Sequence, residues 1–150
     1  MPGAELAMGN PTALFATGPS GGDSRVVLLF TAQYANDTEG SIWDRKSRGS
    51  RWPHATESFD GGATWSRPRN ITRTTKREAW TWYATGPGAG IQLRHGQHAG
   101  RLVVPCDHVA DTAKGLLLVR SHMIYTTTSA PRGSWVRWRG RAPTSALWRS

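Results

Sequence analysis

The sequence contains one cysteine, Cys106, in 150 residues. A single thiol cannot close an internal disulfide, so the sequence carries no mark of an oxidising compartment. Long apolar runs are also missing. The longest, "VVLLF" at 26–30, falls far short of a helical membrane span, which excludes a transmembrane segment of that kind. The opening "MPGAELAMGN" lacks the basic-then-apolar order of a secretory leader, so a cytoplasmic location is the default expectation. The N-x-T sequons at Asn36 and Asn70 would matter only in a secreted chain. No sustained helical period occurs before residue 126, which argues against a helical bundle.

Acid is scarce as well, and the net charge is +9. Such an excess raises the question of a nucleic-acid partner. Its distribution answers in the negative. Residues 1–125 hold 14 Lys and Arg against 10 Asp and Glu, a net of +4, whereas residues 126–150 hold five Arg and no acid. The remaining basic cluster, "DRKSRGSR" at 44–51, lies between strand-like runs and reads as a solvated loop.

What is present is β-like: 17 Gly, 9 Pro and 8 Trp, with short alternating segments punctuated by turn residues. Strands are expected at 12–16, 25–34, 53–59, 80–85, 90–95, 101–108 and 115–127. In "WTWY" at 80–83 the alternation puts Trp80 and Trp82 on one face. The order of events repeats once, at the spacing of a propeller blade. A closed propeller of six such blades would need well over twice this length, so the chain reads as a piece of one.

The stretch "SFDGGATW" at 58–65 has the form S-x-D-x-G-x-T-W. Asp60 can accept from backbone N–H groups just ahead of it, and the glycines supply positive φ, so this is a hairpin turn with pinned ends. Trp65 is expected to fold back under it as a local core. The pattern resembles the Asp box, a structural hairpin motif formed here by Ser58, Asp60, Gly62, Thr64 and Trp65.

Three further stretches sharpen that likeness: "MGNPTAL" (8–14), "WTWYATGPGAGIQLRHG" (80–96) and "GRLVVPCDH" (100–108). In order and spacing, residues 8–125 resemble the exo-α-sialidases, or neuraminidases. The resemblance implies an all-β chain: two or so blades of a six-bladed sialidase β-propeller, incomplete, with an irregular C-terminal tail. It implies residues 1–125 as a partial propeller domain and sialylated glycans or glycolipids as partners. It also implies glycoside hydrolysis with neither metal nor cofactor. In that family three arginines clamp the substrate carboxylate, a Tyr paired with a Glu is the nucleophile and an Asp is the acid/base. No Arg-Ile-Pro stretch occurs here. The resemblance implies the first clamp arginine and the acid/base Asp upstream of "GNP", and the Glu, the other two arginines and the Tyr downstream of "SHMIY". No catalytic residue is therefore assigned, and the chain alone is expected to be inactive.

Substrate-pocket positions do carry over. The Thr-Glu of "NDTEG" brings Glu39 to the glycerol side of the sugar, and Asn10 of "GNP" lines the N-acetyl and ring face. Asp107 and His108 follow "VVP" toward the pocket. For each, a polar loop residue without a ligand is the competing reading. His54, His95, His98 and His122 show no metal-ligand spacing. A non-catalytic Asp-box module that binds glycans is the alternative function, and a basic nucleic-acid binder rests on charge alone.

The tail 126–150 lacks the second Asp box that the family expects after "SHMIY". Shifted by two bases, the codons of Thr128, Ala130, Arg132 and Gly133 can encode Asp, Gly, Thr and Trp, the D-x-G-x-T-W of that box. The tail is therefore read as an out-of-frame translation without an evolved fold, with a divergent natural tail as the competing reading.

Overall fold

The computed structural model describes residues 5–18, 24–111, 117–126 and 137–141. They build two antiparallel sheets. The first runs β1 (Leu6–Ala16), β2 (Arg25–Tyr34), β3 (Trp52–Ser58) and β4 (Arg69–Asn70), in that order. The second runs β5 (Trp80–Thr85), β7 (Leu102–Asp111), β8 (Leu117–Thr126) and β9 (Trp138–Arg141), with β6 (Ile91–Gln92) pairing with β7. Two short helices interrupt the strands: α1 (Glu39–Trp43) and α2 (Thr72–Thr75). Among the described residues no helix is long and apolar enough to cross a membrane.

Strand alternation sets the core. On the first sheet Leu14 pairs with Val27 and Leu29 with Ala55, so these four share a face. On the second, Val104 pairs with Ile124 and Cys106 with His122. The two faces meet in one buried cluster that also takes in Trp80, Tyr83, Leu102 and Trp138. Gly90 lies where the sheets approach. A Cβ there would come within 2.5 Å of Leu14 Cδ2 and 2.8 Å of Val104 Cγ2, so only glycine fits without displacement.

Three expectations need correction. The alternation of "WTWY" fails because β5 changes register against β7 between Trp80 and Tyr83. The irregularity turns Trp80 and Tyr83 into the common core, while Trp82 packs edge-on to Trp43 of α1. The strand expected at 90–95 shrinks to two residues. The tail expected to be irregular contributes β9, which pairs with β8 from Met123 to Thr126. Its anchor is Trp138, packed into the core, and Gly140 passes so close to the α2 backbone that a Cβ there would sit 2.6 Å from Thr75 O. The shifted box at 128–133 lies outside the described residues.

The outer faces are less well covered. Leu6, Met8 and Phe15 on β1, and Val119 and Met123 on β8, are exposed. Two unpartnered apolar sheet faces favour association. The expected result is that the purified chain self-associates. A monodisperse monomer with a sharp thermal transition in sedimentation and calorimetry would contradict this.

Candidate functional site

The segment joining β2 to β3 is built around one carboxylate. Asp37, nearly buried, accepts from the backbone N–H groups of Arg48 at 2.9 Å and Gly49 at 3.0 Å. Its own carbonyl accepts from Gln33 Nε2 at 2.5 Å. The next residue, Thr38, caps α1: its hydroxyl accepts from Ser41 N at 3.1 Å, and Ser41 Oγ accepts from Thr38 N at 3.0 Å. This fixes Glu39 in the first turn of α1, exposed to solvent.

The basic stretch 44–51 does not simply float in water, contrary to expectation. Arg45 Nη2 donates to Ala79 O at 3.1 Å, and Arg48 lies over Tyr34, 4.4 Å from the ring centre. Lys76 ties the end of the loop to β5. Its ammonium donates to Arg51 O at 3.2 Å, to Thr81 O at 3.1 Å and to the Ser50 hydroxyl. Burial pushes the Lys76 pKa down to about 8.

Arg51, held there, reaches across to β1 and β2. Nη1 donates to Asn10 Oδ1 at 2.8 Å and Nε to Gln33 Oε1 at 2.5 Å, while the guanidinium lies 4.8 Å from the centre of the Trp82 ring. Burial lowers its pKa, and the Glu39 carboxylate opposes that shift. Asn10, Gln33 and Arg51 thus converge from separate segments, and Glu39 acts on Arg51 through its charge. Asn10 and Glu39 were expected from the sequence. Arg51 and Gln33 were not, because nothing in "DRKSRGSR" separates its last arginine from its solvated neighbours. Only the clamp around Asp37 does so. The cluster offers a cation, a carboxylate and an amide, which suits a polyhydroxylated ligand. It contains no nucleophile paired with a base.

Asp107 and His108 cannot serve one pocket. They are consecutive on β7 and point to opposite faces. His108 is 2% exposed and faces the core. It stacks on Trp80 at 3.6 Å between ring centres, and its Nδ1 lies 2.9 Å from His122 Nδ1. His122 Nε2 in turn meets Tyr83 OH at 3.0 Å. His108 is therefore corrected from pocket residue to core residue, whereas Asp107, half-buried, lies on the opposite face of the sheet. Burial, then the charge of Arg120, pushes His108 down to about 4. Burial, then His108, pushes His122 down to about 3. The Cys106 thiol on the same face is pushed up to about 12 by burial. Among the described residues no group of three or more His, Cys, Asp or Glu is placed to hold a metal ion.

The Asp-box turn forms as its residues require. Asp60 Oδ1 accepts from Thr64 N and from Ser58 Oγ, both at 2.8 Å, and Oδ2 accepts from Thr64 Oγ1 at 2.5 Å. Ser58 Oγ also accepts from Gly62 N at 2.8 Å, and Gly61 and Gly62 sit at φ 72 and 101. The hydrogen bonds from Thr64 hold the Asp60 pKa down to about 2. Trp65 does fold back, its Nε1 donating to Gly62 O at 3.0 Å, but it stays 42% exposed and forms no local core.

No family model matches the chain. It is 42% identical to an exo-alpha-sialidase of Aspergillus fumigatus over 65 residues, which cover 43% of this chain and 14% of that protein. It is 29% identical to a sialidase of Bacteroides fragilis over 117 residues, covering 75% of this chain and 20% of that protein. Among solved structures, the Hadza microbial sialidase Hz136 superposes with a TM-score of 0.66 at 22% identity, covering 90% of this chain and 24% of that one. That structural likeness shows the fold: the two sheets match a portion of a sialidase propeller. The chain spans at most a fifth of the length of these two curated relatives.

Proposed function

We propose that the chain belongs to the sialidase family, of which it spans a small part, and that it supplies two blades of a six-bladed propeller to an exo-α-sialidase. The whole enzyme would hydrolyse terminal sialic acid from glycans or glycolipids. The observation that carries this reading is the contact of Arg51 with Asn10, under the charge of Glu39. Asn10 and Glu39 are the two positions that the sialidase resemblance sets against the sugar. In this reading Asn10 and Glu39 meet the polar substituents of the sugar ring, and Asp60 and its neighbours only close a hairpin.

The chain is expected to bind without turning over. The arginine triad, the Tyr–Glu pair and the acid/base Asp that the resemblance implies are assigned to no residue of this chain, and the reaction draws most of its acceleration from such preorganised charge. The purified chain should release no fluorophore from an aryl sialoside above the blank. N-acetylneuraminic acid at millimolar concentration should still shift the NMR signals of Asn10 and Glu39. Fluorophore release would refute the inactivity, and unmoved signals at both residues would refute the binding role.

A further inference from the structure

Asn10 is held from two sides. Its backbone sits in the left-handed region at φ 52, and its carbonyl accepts from Thr85 Oγ1 of β5 at 2.5 Å. Its amide oxygen accepts from Arg51 Nη1 at 2.8 Å, while Thr31 Oγ1, 3.2 Å away, shares its one proton between that oxygen and Gly9 O at 3.1 Å. The charged donor is the one that fixes which end of the amide faces inward. The amide nitrogen has no partner among the described residues, and the side chain is only half-buried. A free asparagine can turn over and present either end. This one cannot, because turning over would set its NH2 against the guanidinium of Arg51, which carries donors only.

Arg51 suits the task in a way lysine would not. Its planar fork serves the oxygens of Asn10 and Gln33 together while its face lies against Trp82. We propose that Arg51 is a positioning residue for the candidate site, locking the Asn10 amide with its NH2 outward. The site then selects a ligand group that offers an acceptor oxygen at that point, a hydroxyl, carbonyl or carboxylate, and rejects a group that can only donate. The identity of the sugar rests on the sialidase reading above. The locking of the amide does not.

The test uses the full chain labelled with nitrogen-15. The Asn10 side-chain amide should be as ordered as rigid backbone, with an order parameter near ~0.85, and Arg51→Lys should drop it below ~0.6 while the remaining backbone spectrum is kept. An amide that stays rigid in Arg51→Lys overturns the proposal. Asn10→Asp provides a second arm that survives any misfolding of the first. It keeps an oxygen for Arg51 but has no donor to offer. Its melting temperature should hold or rise, and its affinity for N-acetylneuraminic acid should fall about tenfold. A lowered melting temperature, or affinity equal to the parent's, overturns the proposal. If the parent binds no sialic acid, the sialidase reading fails, and the order parameter with the melting temperature still decides the role of Arg51.

Discussion

Between pH 6.5 and pH 4 the chain should lose much of its stability, and the loss should disappear when His108 and His122 are replaced. The two imidazoles face each other Nδ1 to Nδ1 at 2.9 Å, with Trp80 stacked on one and Tyr83 OH against the other. Neutral rings satisfy this arrangement, one nitrogen donating and its neighbour accepting. A first added proton puts a charge in the core. A second leaves two N–H groups pointed at each other. Arg120 and Arg77 add positive charge nearby, and Asp107 opposes them.

The sign follows from where the protons bind. In the unfolded chain both groups titrate near 6.5, but in the folded chain they are held down to about 4 and about 3. The unfolded state therefore takes up protons first as pH falls. The stabilisation is fully present above pH 6.5 and drains away toward pH 4. The two rings titrate as a coupled pair, and after solvent screening the loss by pH 4 is about 3 kcal/mol. Glu57 acts the other way: burial raises its pKa, so its protonation as pH falls favours the folded state. Urea unfolding at a series of pH values measures the slope. His122→Phe should remove about half of it, and the double replacement His108→Asn/His122→Phe the rest. A slope unchanged in His108→Asn/His122→Phe would place the acid sensitivity elsewhere.

The second large effect lies in the first sheet. Glu57 pairs in register with Val27, so it faces the core, and Arg25 lies beside it. The two side chains are 3% and 5% exposed, and the nearest approach, Nε to Oε1, is 3.8 Å. That is an ion pair without a hydrogen bond. Arg25 Nε and Nη1 and Glu57 Oε1 are buried with no hydrogen-bond partner among the described residues. A pair that loose recovers little of its desolvation, yet removing one partner strands the other. Glu57→Ala should cost about 3–5 kcal/mol, a large share of the roughly 5–15 kcal/mol a domain has. Replacing both, as Arg25→Met/Glu57→Leu, should restore stability to the parent level or above. Glu57→Gln should be milder than Glu57→Ala, because burial already favours the uncharged form. Denaturant midpoints for the four proteins decide it: a Glu57→Ala midpoint equal to the parent's would mean the pair is hydrated.

Local chemistry was legible in the residues themselves. The Asp-box turn depends on atoms within seven positions of one another, so Ser58, Asp60, Gly62 and Thr64 specify it wherever the hairpin sits. The strands 25–34 and 80–85 were bounded correctly because turn residues flank them and β-branched and aromatic residues fill them. Asn10 and Glu39 were picked out as candidates through short motifs that carry their own spacing. Other features depended on register or on distant contacts. The irregularity in β5 reversed the faces of the "WTWY" tryptophans, and no residue in that stretch announces it. His108 was misassigned because loop and strand positions after "VVP" look alike until β8 brings His122 diagonally against it. Arg51 was one of four arginine or lysine residues in a row of solvated appearance. Its role arises because Asp37 clamps the loop, Lys76 ties it to β5, and Asn10 arrives from a strand 41 residues away. The sequence by itself determined the β architecture, the turn chemistry and the likeness to sialidases, since these rest on neighbours along the chain. Which side chains share a buried face, and which cation locks which amide, only the packing of the two sheets decided, because those energies exist only between residues that folding brings together.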